Sequence, residues 1–69
     1  MTYNPTQEEV TMYRNRSTEH VEHQLAKLRH TMRITFAAYR KSGRLEHKEA
    51  LAHQLKYVDI MKQELERRA

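Results

Sequence analysis

The chain has 69 residues, no cysteine, one glycine and one proline, and its formal net charge is +4 at pH 7. A domain of this size buries only about 60% of the surface of its unfolded chain, so its own core is marginal. Because the lack of cysteine excludes disulfides and thiolate zinc sites, we expect a second copy of the chain to supply the missing stability.

The first residues contain no apolar run typical of a signal peptide, and no stretch reaches the roughly 18 apolar residues of a membrane span. The absence of cysteine also fits a reducing compartment. We therefore expect a cytoplasmic protein. Charged residues make up 32% of the chain. With so little glycine and proline, this composition predicts an all-α protein built from a few long helices.

The N-terminal segment carries the signals of a helix start. Asn4 or Thr6 can cap the helix, and Pro5 suits the first helical position. Thr6 and Glu9 have the spacing of a capping box. These signals predict a short helix in an N-terminal arm formed by residues 1–16.

A second set of helix-start signals follows at residues 15–19. Ser17 and Thr18 are good N-caps, and Glu19 falls in the first turn after them. The sequence allows a short helix that stops near Asn15 and a new helix from Ser17, or one long helix that bends there. We favour the break.

Two apolar stripes with helical spacing occupy the rest of the chain. They predict one helix at roughly 17–42, a tight turn with Gly43 as the residue after the helix, and another helix at roughly 45–68. A short connection makes such helices antiparallel neighbours, so residues 17–69 are predicted to form a helical hairpin within a single domain. The expected pairs are Phe36 with Leu51, Met32 with Leu55, Leu28 with Val58, Leu25 with Met61 or Lys62, and Val21 with Leu65.

Some apolar residues do not pack in the predicted hairpin. The arm must fold back, stand free or pack on a second subunit. Ile34 and Ile60 lie off the two stripes, either as scattered exposed residues or, with Ala37 and Ala38, as a second apolar face that a partner subunit covers. Because the hairpin alone is too small, we prefer a homodimeric helical bundle.

Catalytic and metal-binding patterns are not apparent. The sequence has no glycine-rich phosphate loop, no serine elbow and no cysteine nucleophile, so we expect neither an enzyme nor a cofactor. His20 and His23 lie one turn apart and could share a metal ion. A zinc site needs three or four ligands with outer support, so we interpret them as surface histidines and expect no metal.

Positive charge is concentrated in residues 24–44, which contain no acidic residue. This strip is either a solvated flank that covers the edge of the core or a surface for nucleic acid or an acidic protein. The predicted hairpin lacks the short crossing turn of a helix-turn-helix, so nucleic acid is the less favoured partner. The basic residues are Lys27, Arg29, Arg33, Arg40, Lys41 and Arg44.

Two residues stand out as partner-binding candidates. Tyr39 lies at the turn end of the hairpin, where it either caps the core or anchors a partner, since Tyr and Arg are frequent binding hot spots. Arg16 lies at the predicted helix break, where its guanidinium can reach outward. The predicted partner-binding set is Arg16, Tyr39, Arg40, Lys41 and Arg44.

A resemblance to a known family extends over the whole chain. It rests on the length, the opening Tyr3–Thr6, the Arg16 helix junction and the stretch Ala38–Arg44. The chain resembles the phage-encoded anti-activators of quorum sensing, small early proteins of temperate phages that infect pseudomonads. The resemblance implies a dimeric inhibitor in the host cytoplasm that keeps a LuxR-type transcriptional activator (LasR) from engaging DNA. It also implies inhibition of the type IV pilus assembly ATPase (PilB), which would exclude other pilus-dependent phages.

If the resemblance holds, Arg16 and Tyr39 are the expected contacts for the two targets. A mostly basic inhibitor would imitate DNA poorly. We therefore expect it to grip the activator by shape and apolar contact, with help from acidic residues of the arm and the following helix, Glu8, Glu9, Glu19 and Glu22. The alternatives are a basic helical hairpin that binds nucleic acid and a structural adaptor.

Overall fold

The computed structural model describes residues 5–69 and contains three helices within that range. They are α1 (Gln7–Thr11), α2 (Thr18–Ser42) and α3 (Leu45–Arg68). The described residues form no strand, so the all-α prediction is confirmed, with two long helices that pack against each other. No helix in this range is both long enough and apolar enough to cross a membrane.

Helix α1 begins with the capping box that the sequence predicts. The Thr6 amide donates to Glu9 Oε1 at 2.9 Å, and Thr6 Oγ1 accepts from the Glu9 amide at 3.3 Å. The alternative cap, Asn4, lies outside the described residues. A helix of five residues is too short to be stable alone. Contact with α3 supports it, including an ion pair between Lys56 Nζ and Glu9 Oε2 at 2.6 Å.

The chain breaks between α1 and α2, as the sequence analysis favoured, but α1 already ends at Thr11 and not near Asn15. Residues 12–16 form consecutive turns, in which the Arg16 amide donates to the Tyr13 carbonyl at 3.1 Å. Ser17 then caps α2, because its Oγ accepts from the His20 amide at 3.1 Å. We call residues 12–17 the junction.

The connection between α2 and α3 depends on one left-handed residue. Gly43 has a φ of 66°, and its amide donates to the Tyr39 carbonyl at 2.7 Å. Ser42 Oγ accepts from the Arg44 amide at 3.3 Å and lies 2.9 Å from His47 Nδ1. Glycine suits this position because other residues are strained at positive φ.

Contacts along α2 and α3 show how the two helices lie together. Midway along them, Gln54 Nε2 donates to Thr35 Oγ1 at 3.2 Å. Farther from the turn, Arg68 Nη1 donates to Thr18 Oγ1 at 3.1 Å. The end of α3 therefore lies beside the beginning of α2.

The buried core lies towards the end of the molecule that contains the junction. Val21, Leu25, Val58 and Met61 form one buried cluster. The residues that pack around this cluster are partly buried: Tyr13, Leu28, Met32, Tyr57 and Leu65. All of these except the two tyrosines belong to the predicted stripes.

The other end of the two long helices is more open than the stripes suggest. Phe36 and Leu55, expected inside the seam, are 51% and 47% exposed, and Leu51 is only partly buried. Two helices share one seam, and nothing in the described range covers its flanks near the turn. Ile34, on another face of α2, is 60% exposed.

Ile60 departs from both of the interpretations given above. It is only 2% exposed, so it is neither a scattered surface residue nor dependent on a second subunit for burial. Pro5 and Val10 of the arm border a small cavity of about 110 Å³ together with Ile60. The arm therefore folds back onto α3 and gives that helix a second packed face.

Candidate partner-binding surfaces

Arg16 lies in the junction with its side chain exposed, and its backbone is held from the far end of the chain. Arg68 Nη2 donates to the Arg16 carbonyl at 2.7 Å and to the Tyr13 carbonyl at 2.8 Å. It also lies 3.4 Å from the Arg14 carbonyl. Together with the bond from Nη1 to Thr18, these contacts form what we call the Arg68 clamp.

Glu64 fixes the guanidinium that makes the clamp. Its side chain is 3% exposed, and its Oε2 accepts from Arg68 Nε at 2.6 Å and from Arg67 Nη2. Burial, the largest single influence, raises the pKa of Glu64, but the hydrogen bonds and positive charges of Arg68 and Arg67 together outweigh it and leave the pKa below its usual value. The carboxylate therefore stays ionised at neutral pH and holds Arg68 in place.

Next to Arg16 lies a partly buried tyrosine that the sequence analysis did not select. Burial raises the pKa of Tyr13, the nearby Tyr57 raises it further, and the positive charge of Arg16 acts in the opposite direction. The Tyr13 hydroxyl is thus neutral at physiological pH. A cation beside an amphipathic ring is a frequent combination at protein interfaces.

A groove of about 390 Å³ runs from Tyr13 along the seam between α2 and α3. His53 and Tyr57 border it with an edge-to-face contact, their ring centroids 4.9 Å apart. Lys56 Nζ lies 5.9 Å from the centre of the Tyr57 ring, within cation–π range. The spacing of His53 and Tyr57, four residues apart on one helix, was the available sequence signal for this pair.

The other predicted partner-binding residues gather at the turn end. Tyr39 is partly buried, whereas Arg40, Lys41 and Arg44 are exposed. Helix α2 is about 37 Å long at 1.5 Å per residue, and the longest dimension of the molecule is 38 Å. The structure therefore separates Arg16 from the rest of the predicted set by nearly the full length of the molecule.

An apolar groove lies near the turn, between those two groups. Met32, Phe36 and Leu51 line a depression of about 330 Å³, with Arg29 and Arg33 also on its walls. We call it the turn-end groove. The basic strip of the sequence thus borders apolar surface, as its position on the helix predicted.

No group of three or more His, Asp or Glu side chains within residues 5–69 could hold a metal ion. His20 is partly buried and His23 is exposed near the start of α2. No family model, no curated protein and no solved structure matches the chain.

Proposed function

We propose that this protein is a dimeric inhibitor that a temperate phage makes in the host cytoplasm to bind and block host proteins. The observation that supports it is the separation of two exposed candidate surfaces. One contains Arg16 and Tyr13, and the other contains Tyr39 with the cations of the turn. A small protein with two distant surfaces can engage two unrelated partners.

The proposed dimer is built from two antiparallel helical hairpins. The turn-end groove is the proposed contact, because Phe36, exposed on one copy, would enter the groove lined by Met32 and Leu51 on the other. Leu55, about half exposed, would add apolar area around it. Burial of apolar surface is the main source of stability in dimers of small domains.

The Arg16 surface is the proposed contact for a LuxR-type transcriptional activator, which the inhibitor would keep from engaging DNA. With a net charge of +4, the chain is a poor imitation of DNA. The contact therefore depends on the guanidinium of Arg16, the ring of Tyr13 and the shape of the junction. Hot-spot arginines contribute about 2 kcal/mol or more, or roughly 30-fold in affinity.

Calorimetric titration of the activator tests this surface. Arg16→Ala should weaken binding by about 30-fold or more. Arg14→Ala is the matched control, since Arg14 is also an exposed arginine of the junction. If an acidic polymer displaced the activator as well as the intact inhibitor did, binding by shape and apolar contact would be the wrong explanation.

The Tyr39 surface is the proposed contact for the type IV pilus assembly ATPase, whose inhibition would exclude other pilus-dependent phages. Tyr39→Ala should abolish inhibition of ATP hydrolysis by the purified ATPase and leave activator binding unchanged. Arg16→Ala should weaken activator binding and leave inhibition of the ATPase unchanged. If either substitution weakened both partners equally, a single shared surface would replace this proposal.

A second candidate function is nucleic-acid binding by the basic strip of α2. Arg29 and Arg33 are exposed and the strip contains no acidic residue. Phosphate contacts would make affinity for duplex DNA fall steeply with salt. A filter-binding series between 50 and 200 mM salt distinguishes the functions, because a protein inhibitor should show little DNA affinity at any of these concentrations.

A further inference from the structure

We propose that Arg68 is the positioning residue of the Arg16 surface. The proposal rests on the function proposed for that surface, but its physical basis is independent of any partner. A side chain one residue from the end of the described chain fixes the backbone of a turn more than fifty residues earlier in the sequence.

The junction needs such support because it has little of its own. Residues 12–16 form turns and a bend between two helices, where single turn bonds such as that from the Arg16 amide to the Tyr13 carbonyl replace a helical ladder. Arg68 Nη2 satisfies the carbonyls of Tyr13 and Arg16 together. The side-chain direction of Arg16 follows from the backbone that this nitrogen holds.

The guanidinium is suited to this task in a way that an ammonium is not. Its Nε binds the buried Glu64, its Nη1 binds Thr18, and its Nη2 binds the two junction carbonyls. Three nitrogens in one rigid plane thus tie α3, α2 and the junction together. Lysine has one nitrogen, so Arg68→Lys keeps the charge and loses this geometry.

Arg67 provides an internal control. It is the same residue type, it adjoins Arg68, and it also binds Glu64 Oε2. Its side chain is 48% exposed, compared with 20% for Arg68, and it hydrogen-bonds to Glu64 rather than to the junction. A general effect of weakening the Glu64 pair should appear in Arg67→Ala, whereas an effect on the junction should appear only at Arg68.

The expected result is a loss at one surface alone. When a junction samples several conformations, apparent affinity falls by the fraction of molecules in the binding-competent one. The Tyr39 surface lies towards the opposite end of a molecule whose longest dimension is 38 Å, so it should not change. Because the two surfaces are far apart, a positioning role should weaken binding at one of them, whereas a general loss of folding would weaken binding at both.

The experiment compares wild type, Arg68→Lys, Arg68→Ala and Arg67→Ala in the full chain. Amide hydrogen exchange at residues 12–17 is measured without any partner, and affinity is measured for the activator and for the pilus ATPase. For both Arg68 variants we expect exchange at least tenfold faster in the junction, activator affinity at least tenfold lower, and ATPase affinity within twofold of wild type. Arg67→Ala should match wild type in all three measurements.

Unchanged exchange in both Arg68 variants would overturn the proposal, as would faster exchange with unchanged activator affinity. If Arg68→Ala does not fold, Arg68→Lys decides, because it retains the charge next to Glu64. If the wild type binds neither protein, the function proposed above is overturned, and the exchange data still decide whether Arg68 holds the junction.

Discussion

Replacing Ile60 with alanine measures how much the packing of the arm on α3 stabilises the fold. Ile60 is 2% exposed, and burial of this kind makes an Ile→Ala change cost about 2–5 kcal/mol. Pro5 and Val10, which border the same small cavity, are only partly buried, so the short arm can move into the space that alanine leaves, and we expect the lower end of that range. Alanine also favours a helix over isoleucine by a few tenths of a kcal/mol. The net expectation is a loss of about 2 kcal/mol.

Ile34→Ala is the matched control, because Ile34 is also a helical isoleucine but is 60% exposed. Its expected cost is within about 0.5 kcal/mol in the monomer. Urea unfolding followed by circular dichroism at 222 nm, at several protein concentrations, measures both changes. A cost for Ile34→Ala that grows with protein concentration would identify this face as part of a dimer contact.

A double-mutant cycle with Val10→Ala then assigns the cover of Ile60 to the arm. Residues in contact couple by about 0.5 kcal/mol or more, whereas residues that do not touch have additive effects. A cost for Ile60→Ala below about 1 kcal/mol, or strict additivity with Val10→Ala, would refute the packing of the arm described above.

Three further predictions concern the turn, the buried carboxylate and the groove. Gly43→Ala meets no steric contact but places a side chain at φ 66°, so it should cost about 1 kcal/mol and lower the melting temperature by roughly 5 °C in calorimetry. Because folding lowers the pKa of Glu64 below 4.5, the ionised carboxylate stabilises the fold above that pH. Acid unfolding should show that this stability is lost as the pH falls from about 4.5 through the folded pKa. Glu64→Gln should flatten that part of the plot of stability against pH. Phe36→Ser should shift sedimentation from dimer towards monomer, whereas Leu45→Ser, 65% exposed and not among the residues that line the groove, should not; equal effects of the two would exclude the groove as the contact.

The local features of the fold could be read from the sequence because each depends on neighbours in the chain. Thr6 with Glu9, Ser17 before α2 and Gly43 after it are short-range signals of helix ends. The stripes likewise placed Val21 and Met61 on faces that meet. Such signals require no knowledge of what lies beyond the helix that carries them.

The exposed fraction of each apolar side chain could not be predicted from such short-range signals. Periodicity shows that Phe36 and Leu55 share a face with the core, but it does not show that this face stays open near the turn. Ile60 lies off that face and is buried because the arm folds back on it. The sequence analysis left the path of the arm open, so it could not show that Ile60 would be buried.

The candidate surfaces show the same division. Arg16 and Tyr39 could be selected from residue type and position at helix ends. Arg68 looks like an ordinary cation near a helix C-terminus, where the dipole favours it. Its contacts with Tyr13 and Arg16 depend on where the chain returns after α3, and residue type alone does not indicate them.

The uneven core means that the two ends of the long helices should resist opening to different degrees. Near Val21 and Met61, separation of the helices exposes the main buried cluster and also breaks the hydrogen bond from Arg68 to Thr18. Near Gly43, separation exposes side chains that are already about half in water. Partial opening should therefore begin at the turn, where a protease would cut first. A molecule seated against Phe36 would close that end and raise the resistance of the whole chain to digestion.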